Sequence, residues 1–395
     1  MKNRIVTIIG LFALLSTASA AGPKADFNVI PVPRTICAGT SAPFVLDSNT
    51  KIYYEEGQKR NAAFLQQYIT DITGIVPELT DRPRKRGTIS LRVKDTSSDA
   101  EGYTLTVDKK NIHIVGNSPA GVFYAIQTLR KALPAGQASE VEIPSCIVED
   151  SPRFAYRGVH LDVVRHFFPV DSVKRYIDII ALHNVNRFHW HLTDDQGWRV
   201  EIKSRPRLTS VGAYRKQTAG DGTPHGGFYT QDEIRDIIRY AQERYITIIP
   251  EIDIPGHSAA ALASYPEIGC TGGPYEVCEV WGGPADVLCA GKDETMQFLQ
   301  DVFTEIAGLF PSQYIHIGGD ECPKQRWKEC RACQAKIKEL GIVPDKKHSA
   351  EQKLQSYVMV SVEKFLAAKG RKVIGWDEIL EGGLGPDATV HSWRG

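Results

Sequence analysis

The sequence shows no excess of charge of either sign, because 47 lysines and arginines are balanced by 47 aspartates and glutamates. A chain without a basic or acidic surplus lacks the electrostatic signature of proteins that bind nucleic acid or anionic membranes. It also shows no internal repeat and no low-complexity segment, and its 42% hydrophobic content is ordinary for a globular protein. Neither nucleic acid nor a lipid surface is therefore expected as a partner.

Long apolar runs are missing too, apart from Ile5–Leu15 near the start, which is too short for a comfortable membrane span. This run follows Lys2 and Arg4 and precedes the small residues Ala18-Ser19-Ala20. That order is typical of a signal peptide, here residues 1–20. We expect export to the periplasm or beyond, with no membrane span after cleavage. No cysteine follows the predicted cut, which argues against a lipid anchor there.

Export would permit disulfides among the eight cysteines. Three of them share a glycine-rich loop that a disulfide could close: Cys270, Cys278 and Cys289. Three others could instead bind a metal, although the sequence shows no fourth ligand for it: Cys322, Cys330 and Cys333. We expect disulfides or free thiols here, with no metal and no cofactor.

Residues 21–152 are predicted to form a small α+β domain. Alternating residues over Glu101–Val107 and Asn111–Val115, joined by a short polar turn, predict a β-hairpin. A helix is predicted from Ser118 to Leu133, because apolar residues recur at helical spacing there.

Residues 153–395 change to alternating strands and helices, which predicts a parallel sheet. The predicted strands are Arg157–Asp162, Arg187–Leu192, Thr247–Ile252, Tyr314–Ile317, Lys372–Trp376 and Thr389–Trp393. The predicted helices are Val173–Leu182, one opened by the capping box Thr230-Gln-Asp-Glu233, Met296–Phe310, and one opened by Ser349-Ala-Glu-Gln352.

Polar or aromatic residues follow nearly every one of these strands. They are Asp162, Asp194-Asp195, Glu251 with Asp253, Asp320-Glu321, Trp376-Asp377 and Trp393-Arg394. An open doubly wound sheet concentrates its site at one switch point, whereas a (β/α)8 barrel gathers residues from all its strand ends. The pattern therefore predicts an α/β fold with a (β/α)8 TIM-type barrel, preceded by the small α+β domain.

The most informative of these segments is Tyr314-Ile-His-Ile-Gly-Gly-Asp320-Glu321. A short buried strand ends at two glycines, and two adjacent carboxylates follow at the rim of the sheet, where α/β folds carry their chemistry. Neighbours on an extended chain point in roughly opposite directions, so this pair is poorly placed to flank one bond as acid and nucleophile.

Tryptophans and histidines at the strand ends suggest two kinds of site. Four of the six tryptophans lie at or beside strand ends and predict an aromatic cup for the apolar face of a sugar: Trp190, Trp198, Trp376 and Trp393. The pair His189 and His191 could alternatively hold a metal, as in amidohydrolases.

Taken together, these motifs resemble glycoside hydrolase family 20, the β-N-acetylhexosaminidases. The matching segments are Arg157-Gly-Val-His-Leu-Asp162, His191-Leu-Thr-Asp-Asp-Gln-Gly-Trp-Arg199, Pro250-Glu-Ile-Asp-Ile-Pro-Gly-His257, His316-Ile-Gly-Gly-Asp-Glu321, Gly375-Trp-Asp-Glu378 and His391-Ser-Trp-Arg394. Residues 26–150 resemble the N-terminal α+β domain of that family, so the resemblance covers nearly the whole chain after residue 20.

The resemblance implies a retaining mechanism in which the 2-acetamido group of the substrate acts as the nucleophile. Glu321 would be the general acid and later the base, and Asp320 would orient the acetamido group. Arg157 would bind sugar hydroxyls, while Trp376 and Trp393 would enclose the acetamido methyl.

Three supporting residues are implied by the same resemblance. His257 would lie behind Glu321, with Asp194 and Asp253 as its partners. Asp194 is chosen over its neighbour Asp195.

The sequence departs from the family at its end, since the seventh and eighth barrel strands have no counterpart. Those strands normally supply a tyrosine to the acetamido carbonyl and further sugar-binding residues. We therefore expect an incomplete barrel of about six strands in a C-terminally truncated chain, and weak or no hydrolysis if the chain is complete.

The leading expectation is an exo-acting enzyme that releases terminal β-linked GlcNAc or GalNAc from glycans. The alternatives are a lacto-N-biosidase-like enzyme of the same family, an inactive sugar-binding fragment, and a metal-dependent amidohydrolase that uses the two histidines.

Overall fold

The structure is a computed structural model that describes residues 22–94, 99–283 and 285–394. The chain forms two compact units, Met1–Ser151 and Pro152–Gly395. The predicted signal peptide, residues 1–20, lies outside the described residues. Among the residues that are described, no helix is both long and apolar enough to cross a bilayer.

The first unit is built on a mixed sheet with the order β1-β9-β6-β7-β5-β3-β4. Its strands are β1 (Thr35–Ala38), β2 (Phe44–Asp47), β3 (Lys51–Tyr54), β4 (Glu78–Thr80), β5 (Thr88–Val93), β6 (Tyr103–Val107), β7 (Asn111–Gly116), β8 (Glu140–Ile143) and β9 (Cys146–Asp150). The helices α1 (Lys59–Thr73) and α2 (Pro119–Ala132) pack beside each other, and α2 covers β6 and β7. The predicted hairpin is confirmed, because β6 and β7 pair in antiparallel register.

The second unit carries a parallel sheet with short accessory strands in its loops. Its strands are β10 (Gly158–Asp162), β11 (Arg187–His191), β12 (Thr193–Asp194), β13 (Gly197–Trp198), β14 (Tyr214–Arg215), β15 (His225–Gly226), β16 (Thr247–Ile254), β17 (Tyr314–Gly318), β18 (Lys372–Trp376) and β19 (Thr389–His391). Its helices are α3 (Val170–Leu182), α4 (Arg207–Ser210), α5 (Gln231–Gln242), α6 (Ala259–Ser264), α7 (Asp293–Leu309), α8 (Gln325–Glu329), α9 (Arg331–Glu339) and α10 (Ala350–Ala367).

The parallel sheet runs β10-β11-β16-β17-β18-β19 in sequence order, as expected of successive βα units. The six strands predicted for this region are confirmed within the described residues. The register aligns His191 with Glu251, and Glu251 with His316, so these side chains lie in one layer across three neighbouring strands. The carboxyl ends of all six strands consequently meet at one edge.

Helices of the second unit form because their apolar stripes face the sheet. Helix α5 begins at the predicted capping box, in which the Thr230 hydroxyl accepts from the Glu233 N–H and the Glu233 carboxylate accepts from the Thr230 N–H. Its buried stripe includes Ile234 and Ile237 and packs against β16. Helix α10 begins at the second predicted box and packs against β18.

The predicted aromatic cup of four tryptophans is wrong for two of its members. Trp190 is fully buried and packs against Tyr229, with ring centroids 4.8 Å apart. Trp198 is also buried, and its indole N–H donates to the Val200 carbonyl. Side chains alternate across a strand, so His189 and His191 face the barrel interior while Trp190 between them faces the helix layer.

This placement predicts that Trp190 is a core residue. Trp190→Ala should lower the free energy of unfolding by about 3–5 kcal/mol, because it deletes a fully buried ring from a packed interior. Urea titration followed by circular dichroism measures the loss.

The matched control is Trp281→Ala, since Trp281 is 80% exposed. We expect that variant to lose less than about 1 kcal/mol. Equal losses in the two variants would contradict the core placement of Trp190.

Candidate active site

A pocket of about 220 Å³ opens at the carboxyl ends of the parallel strands. Its walls are acids, basic residues and two tryptophans: His160, Arg165, His191, Asp194, Asp253, Asp320, Glu321, Trp376 and Trp393. A larger cavity of about 470 Å³ lies along the loop that follows α6, and none of these strand-end residues lines it. The smaller pocket is therefore the candidate active site.

Asp320 and Glu321 both face this pocket because the chain leaves the extended conformation directly after β17. Gly318, Gly319 and Glu321 have φ values of 63°, 102° and 46°, in the left-handed half of conformational space. A Cβ atom at Gly318 would collide with the carboxylate of Asp253, so the strand can end here only in glycine. The opposite orientation expected of neighbours on an extended chain does not apply, and this turn brings the two acids together.

The fully buried carboxylate of Glu251, on β16, lies at the centre of the barrel interior beneath the pocket. Its Oε2 atom accepts hydrogen bonds from His189 Nε2 at 2.8 Å and from His191 Nδ1 at 2.6 Å. Its Oε1 atom accepts from Trp376 Nε1 at 2.9 Å and lies 3.0 Å from His316 Nδ1. One carboxylate therefore connects β11, β17 and β18 to β16.

Electrostatics fix the protonation states of this group. Burial alone would raise the pKa of Glu251, but His316 and His191 hold it well below its usual value. Burial lowers the pKa of His191, yet Glu251 and Asp194 together raise it well above 6.5. Glu251 is thus an anion and His191 a cation at neutral pH.

A chain of charged contacts leads from His191 to the paired acids. Asp194 accepts from His191 Nε2 at 2.8 Å on one oxygen and from His257 Nδ1 at 3.0 Å on the other. His257 Nε2 then lies 3.5 Å from Asp320 Oδ2 and 3.6 Å from Glu321 Oε2. The structure therefore brings His257 behind both acids, with Asp194 as its nearest carboxylate, while Asp195 lies 3.6 Å from the same ring nitrogen.

The pKa values of Asp253 and Asp320 are raised. Burial raises the pKa of Asp253 well above its usual value, and the nearby Asp320 charge adds to that shift. Burial likewise raises the pKa of Asp320 to about 6, although His257 opposes the change. Asp253 accepts the Gly319 N–H, so it also supports the turn that carries Asp320.

Arg157 does not lie with the other predicted residues, which corrects the expectation that it binds sugar hydroxyls. It directly precedes β10, at the amino end of the strand, and its guanidinium donates to the carbonyls of Asn184 and Phe154 at 2.7 Å. The arginine in the pocket is Arg165. Its guanidinium donates to Asp162 at 2.8 Å and contacts Asp194 at 2.7 Å.

Trp376 and Trp393 are both in the pocket wall, as predicted. Trp376 ends β18, and its indole N–H is held by Glu251. Trp393 follows β19, is 51% exposed, and donates its indole N–H to Glu378 at 3.0 Å. Two indole faces at adjacent strand ends provide an apolar surface beside the acids.

The histidine pair that suggested an amidohydrolase metal site is engaged with carboxylates instead. His189 contacts Glu251, and both nitrogens of His191 are bound, one by Glu251 and the other by Asp194. These contacts join β11 to β16 in the barrel interior and account for the two histidines without the alternative amidohydrolase chemistry.

Sequence reasoning gave no role to Glu251 and overlooked Arg165. Glu251 lies in a motif that the sequence did single out, but its hydrogen-bond partners come from strands far away along the chain. Arg165 lies three residues beyond the end of β10, and that position was the available signal, since loops after strand ends carry site residues in barrels.

Comparisons with known proteins give matches over most of the chain. Residues 154–395 match the profile of glycosyl hydrolase family 20, catalytic domain, and residues 26–151 match that of glycosyl hydrolase family 20, domain 2. The β-hexosaminidase of Porphyromonas gingivalis is 44% identical over 390 residues, which cover 93% of this chain and 47% of that protein.

Two solved structures also resemble this chain over most of its length. The N-acetyl-β-hexosaminidase of Streptomyces plicatus, in complex with Thio-NAglucal, has a TM-score of 0.80 at 34% identity and is matched over 92% of this chain and 68% of that one. The exo β-N-acetylglucosaminidase of Vibrio harveyi, in complex with N-acetylglucosamine, has a TM-score of 0.83 at 33% identity, over 95% and 58%.

This chain spans about half the length of the Porphyromonas protein that it resembles. The structural likeness confirms the predicted fold class, a TIM-type barrel preceded by a small α+β domain. Because two profiles of one family match most of the sequence in the expected order, the chain belongs to glycoside hydrolase family 20.

Proposed function

We propose that this chain carries the catalytic site of an exo-acting β-N-acetylhexosaminidase, which removes terminal β-linked GlcNAc or GalNAc from glycans with retention of configuration. The observation that carries the proposal is the Asp320-Glu321 turn, where two acids share one pocket and one histidine. The pocket volume, about 220 Å³, falls below the ~300–1,000 Å³ of sites for drug-sized ligands and suits a single sugar ring.

Glu321 is the general acid in this proposal. Its carboxyl group is 60% exposed at the pocket rim, where a leaving glycosidic oxygen would arrive, and its Oε2 lies 3.6 Å from His257. In the first step Glu321 protonates the leaving oxygen as the glycosidic bond breaks. In the second step the resulting carboxylate takes a proton from water, which attacks the anomeric carbon.

Asp320 supports the nucleophile rather than acting as one. The carbonyl oxygen of the substrate's 2-acetamido group attacks the anomeric carbon and forms an oxazolinium ion. Asp320 accepts the acetamido N–H, orients the group, and stabilises the positive charge that develops on it. Its position deeper than Glu321, with a side chain only 18% exposed, suits contact with the sugar substituent rather than with water.

His257 and Asp194 position the acids in this scheme. Burial lowers the pKa of His257, but its hydrogen bond to Asp194 and the nearby Asp195 carboxylate raise it far above 6.5, so the imidazole is a cation. A cation 3.5 Å from Asp320 favours the ionised carboxylate that the oxazolinium step requires.

The remaining walls hold the sugar. Arg165, whose side chain is 23% exposed, offers guanidinium N–H groups to ring hydroxyls, the part first assigned to Arg157. Trp376 and Trp393 enclose the acetamido methyl. We also propose, from the sequence pattern of residues 1–20, that the protein is exported to the periplasm or outside the cell.

The proposed function is tested with Glu321→Gln. Its kcat/KM on an unactivated N-acetylglucosamine disaccharide should fall at least ~10²-fold, because the leaving oxygen loses its acid. The kcat/KM of the variant on an aryl glycoside with a good leaving group should fall much less, because the first step then needs little help from an acid. Glu294→Gln, at an exposed glutamate, is the matched control and should behave like the parent chain.

The same assay separates the enzyme from an inactive sugar binder. If the parent chain binds GlcNAc in a titration but cleaves neither substrate, it is a binding fragment and the catalytic proposal for this chain is rejected.

The pH dependence of kcat/KM should report Asp320. Because the pKa of this carboxyl is about 6 and the ionised form is required, kcat/KM should rise as pH increases through about 6. Asp320→Asn should remove that limb from the residual activity and weaken binding of a thiazoline mimic of the intermediate.

The control for this profile is Asp232→Asn, a change at a carboxyl that is 92% exposed, which should leave the limb in place. An unchanged limb in Asp320→Asn, or thiazoline binding as tight as in the parent, would contradict the role of Asp320.

The assignment of the sugar-binding arginine is tested with Arg165→Lys, which keeps the charge but loses the planar donor fork. We expect kcat/KM to fall about 10- to 100-fold, in keeping with the 1.5–3 kcal/mol of a hydrogen bond to a charged group. Arg157→Lys is the matched control, and its kcat/KM per folded molecule should stay near the parent value. A larger loss in Arg157→Lys than in Arg165→Lys would reverse the assignment.

A further inference from the structure

Four thiols from two separate segments of the second unit meet outside the candidate active site. Cys289 Sγ lies 3.6 Å from Cys333 Sγ and 3.7 Å from Cys330 Sγ, and Cys270 Sγ lies 3.9 Å from Cys333 Sγ. All four sulfur atoms lie within 4.8 Å of one another. We call this group the thiol cluster.

The composition of the thiol cluster differs from both groupings considered from sequence. Cys278 lies in the same loop as Cys270 and Cys289, but its thiol donates to the Val280 carbonyl. Cys322 is buried and directed toward the Pro323 carbonyl. Of the three cysteines considered as ligands from sequence, only Cys330 and Cys333 belong to the cluster, and its other two members, Cys270 and Cys289, lie 41 residues or more before Cys330.

The sulfur separations match a tetrahedral metal site. Zinc binds thiolate sulfur at about 2.3 Å, so the edge of a regular ZnS4 tetrahedron is about 3.8 Å. The three measured separations of 3.6, 3.7 and 3.9 Å bracket this value. A pair of disulfides needs only two close contacts, whereas here two of the sulfurs, those of Cys289 and Cys333, have two near neighbours each.

The backbone holds the first two thiols in place. The residues before them, Gly269 and Leu288, form an antiparallel bridge, and the Cys289 N–H donates to the Ile268 carbonyl at 2.8 Å. The Lys292 ammonium donates to the Gly269 carbonyl at 2.7 Å, which puts a positive charge beside the cluster. A fixed cation there is favourable to a site that carries four thiolates.

The second pair is held against the first by close backbone packing. Cys330 caps α9 and Cys333 lies in its first turn, and a Cβ at Gly291 would collide with the backbone of Ala332 and Cys333. Trp327, buried in α8, donates to the Leu288 carbonyl at 2.9 Å and further joins the two segments.

We propose that Cys270, Cys289, Cys330 and Cys333 bind one Zn²⁺ ion as a closed, structural tetrathiolate site. Soft thiolate ligands in a tetrahedral S4 arrangement select zinc among the common divalent ions, and four protein ligands leave no open position for a substrate. Each thiol releases its proton when the ion binds. Neither the glycosidase chemistry nor the residues of the pocket are part of this site.

The ion would tie two active-site loops to each other. One is the loop that follows His257, and the other begins directly after Glu321 and continues into α8 and α9. A zinc ion at their junction fixes the distance between these loops, so it acts on the site by positioning and not by catalysis.

The test is the metal content of the intact chain, purified without chelators and freed of any affinity tag. Inductively coupled plasma mass spectrometry should find one zinc per chain. X-ray absorption at the zinc edge should find four sulfur ligands at about 2.3 Å. Cys289→Ser and Cys330→Ser should each lose the zinc. The controls Cys278→Ser, in the same loop, and Cys37→Ser should keep it.

A measurement on the parent chain covers the case in which the serine variants do not fold. Titration with a mercurial reagent should release one zinc as four thiols react. Four results would overturn the proposal. They are two disulfides among these cysteines, four reactive thiols without zinc, iron in place of zinc, and zinc bound by nitrogen or oxygen ligands.

Discussion

The rest of the second unit depends on one buried carboxylate, that of Glu251. A lone carboxylate in a barrel interior would be very costly. It is tolerated because His191 is charged beside it, His189 and Trp376 contact its oxygens through ring nitrogens, and the His316 ring lies 3.0 Å away. Those partners lie on β11, β17 and β18. The strand ends that carry Asp194, Asp320 and Trp376 are therefore held in fixed relation by an ion-pair network directly beneath the pocket.

The same network explains how several charged side chains can be buried close together beneath the pocket. Positive and negative groups alternate from Glu251 through His191 and Asp194 to His257, so each buried charge has an opposite neighbour. Asp320 lies at the far end of this series, where burial outweighs the single nearby cation and its pKa rises. Its position at the end of the series therefore leaves Asp320 with a pKa of about 6.

Sequence patterns predicted the elements of this fold well, because strand alternation and capping boxes are local. The six parallel strands, the hairpin of the first unit and the capped helices α5 and α10 all have local signals. The errors have physical reasons as well. Trp190 lies between two histidines that face the barrel interior, so its side chain must face the helix layer. Arg157 lies at the amino end of β10, away from the site, whereas Arg165 follows the carboxyl end of that strand. The contacts of Glu251 and the meeting of four cysteines from two segments depend on tertiary structure, which the spacing of residues in the sequence does not encode.

The hydrogen bonds of Glu251 span large distances along the chain, 60 residues to His191, 62 to His189 and 125 to Trp376. Contacts of this kind form only after long segments have been ordered, and they slow folding because loop closure precedes their gain. The active site can therefore exist only once four strands from across the barrel have docked. A partly folded chain would lack the site altogether, and ligand binding at this pocket in a refolding mixture would report only the molecules whose barrel interior is fully assembled.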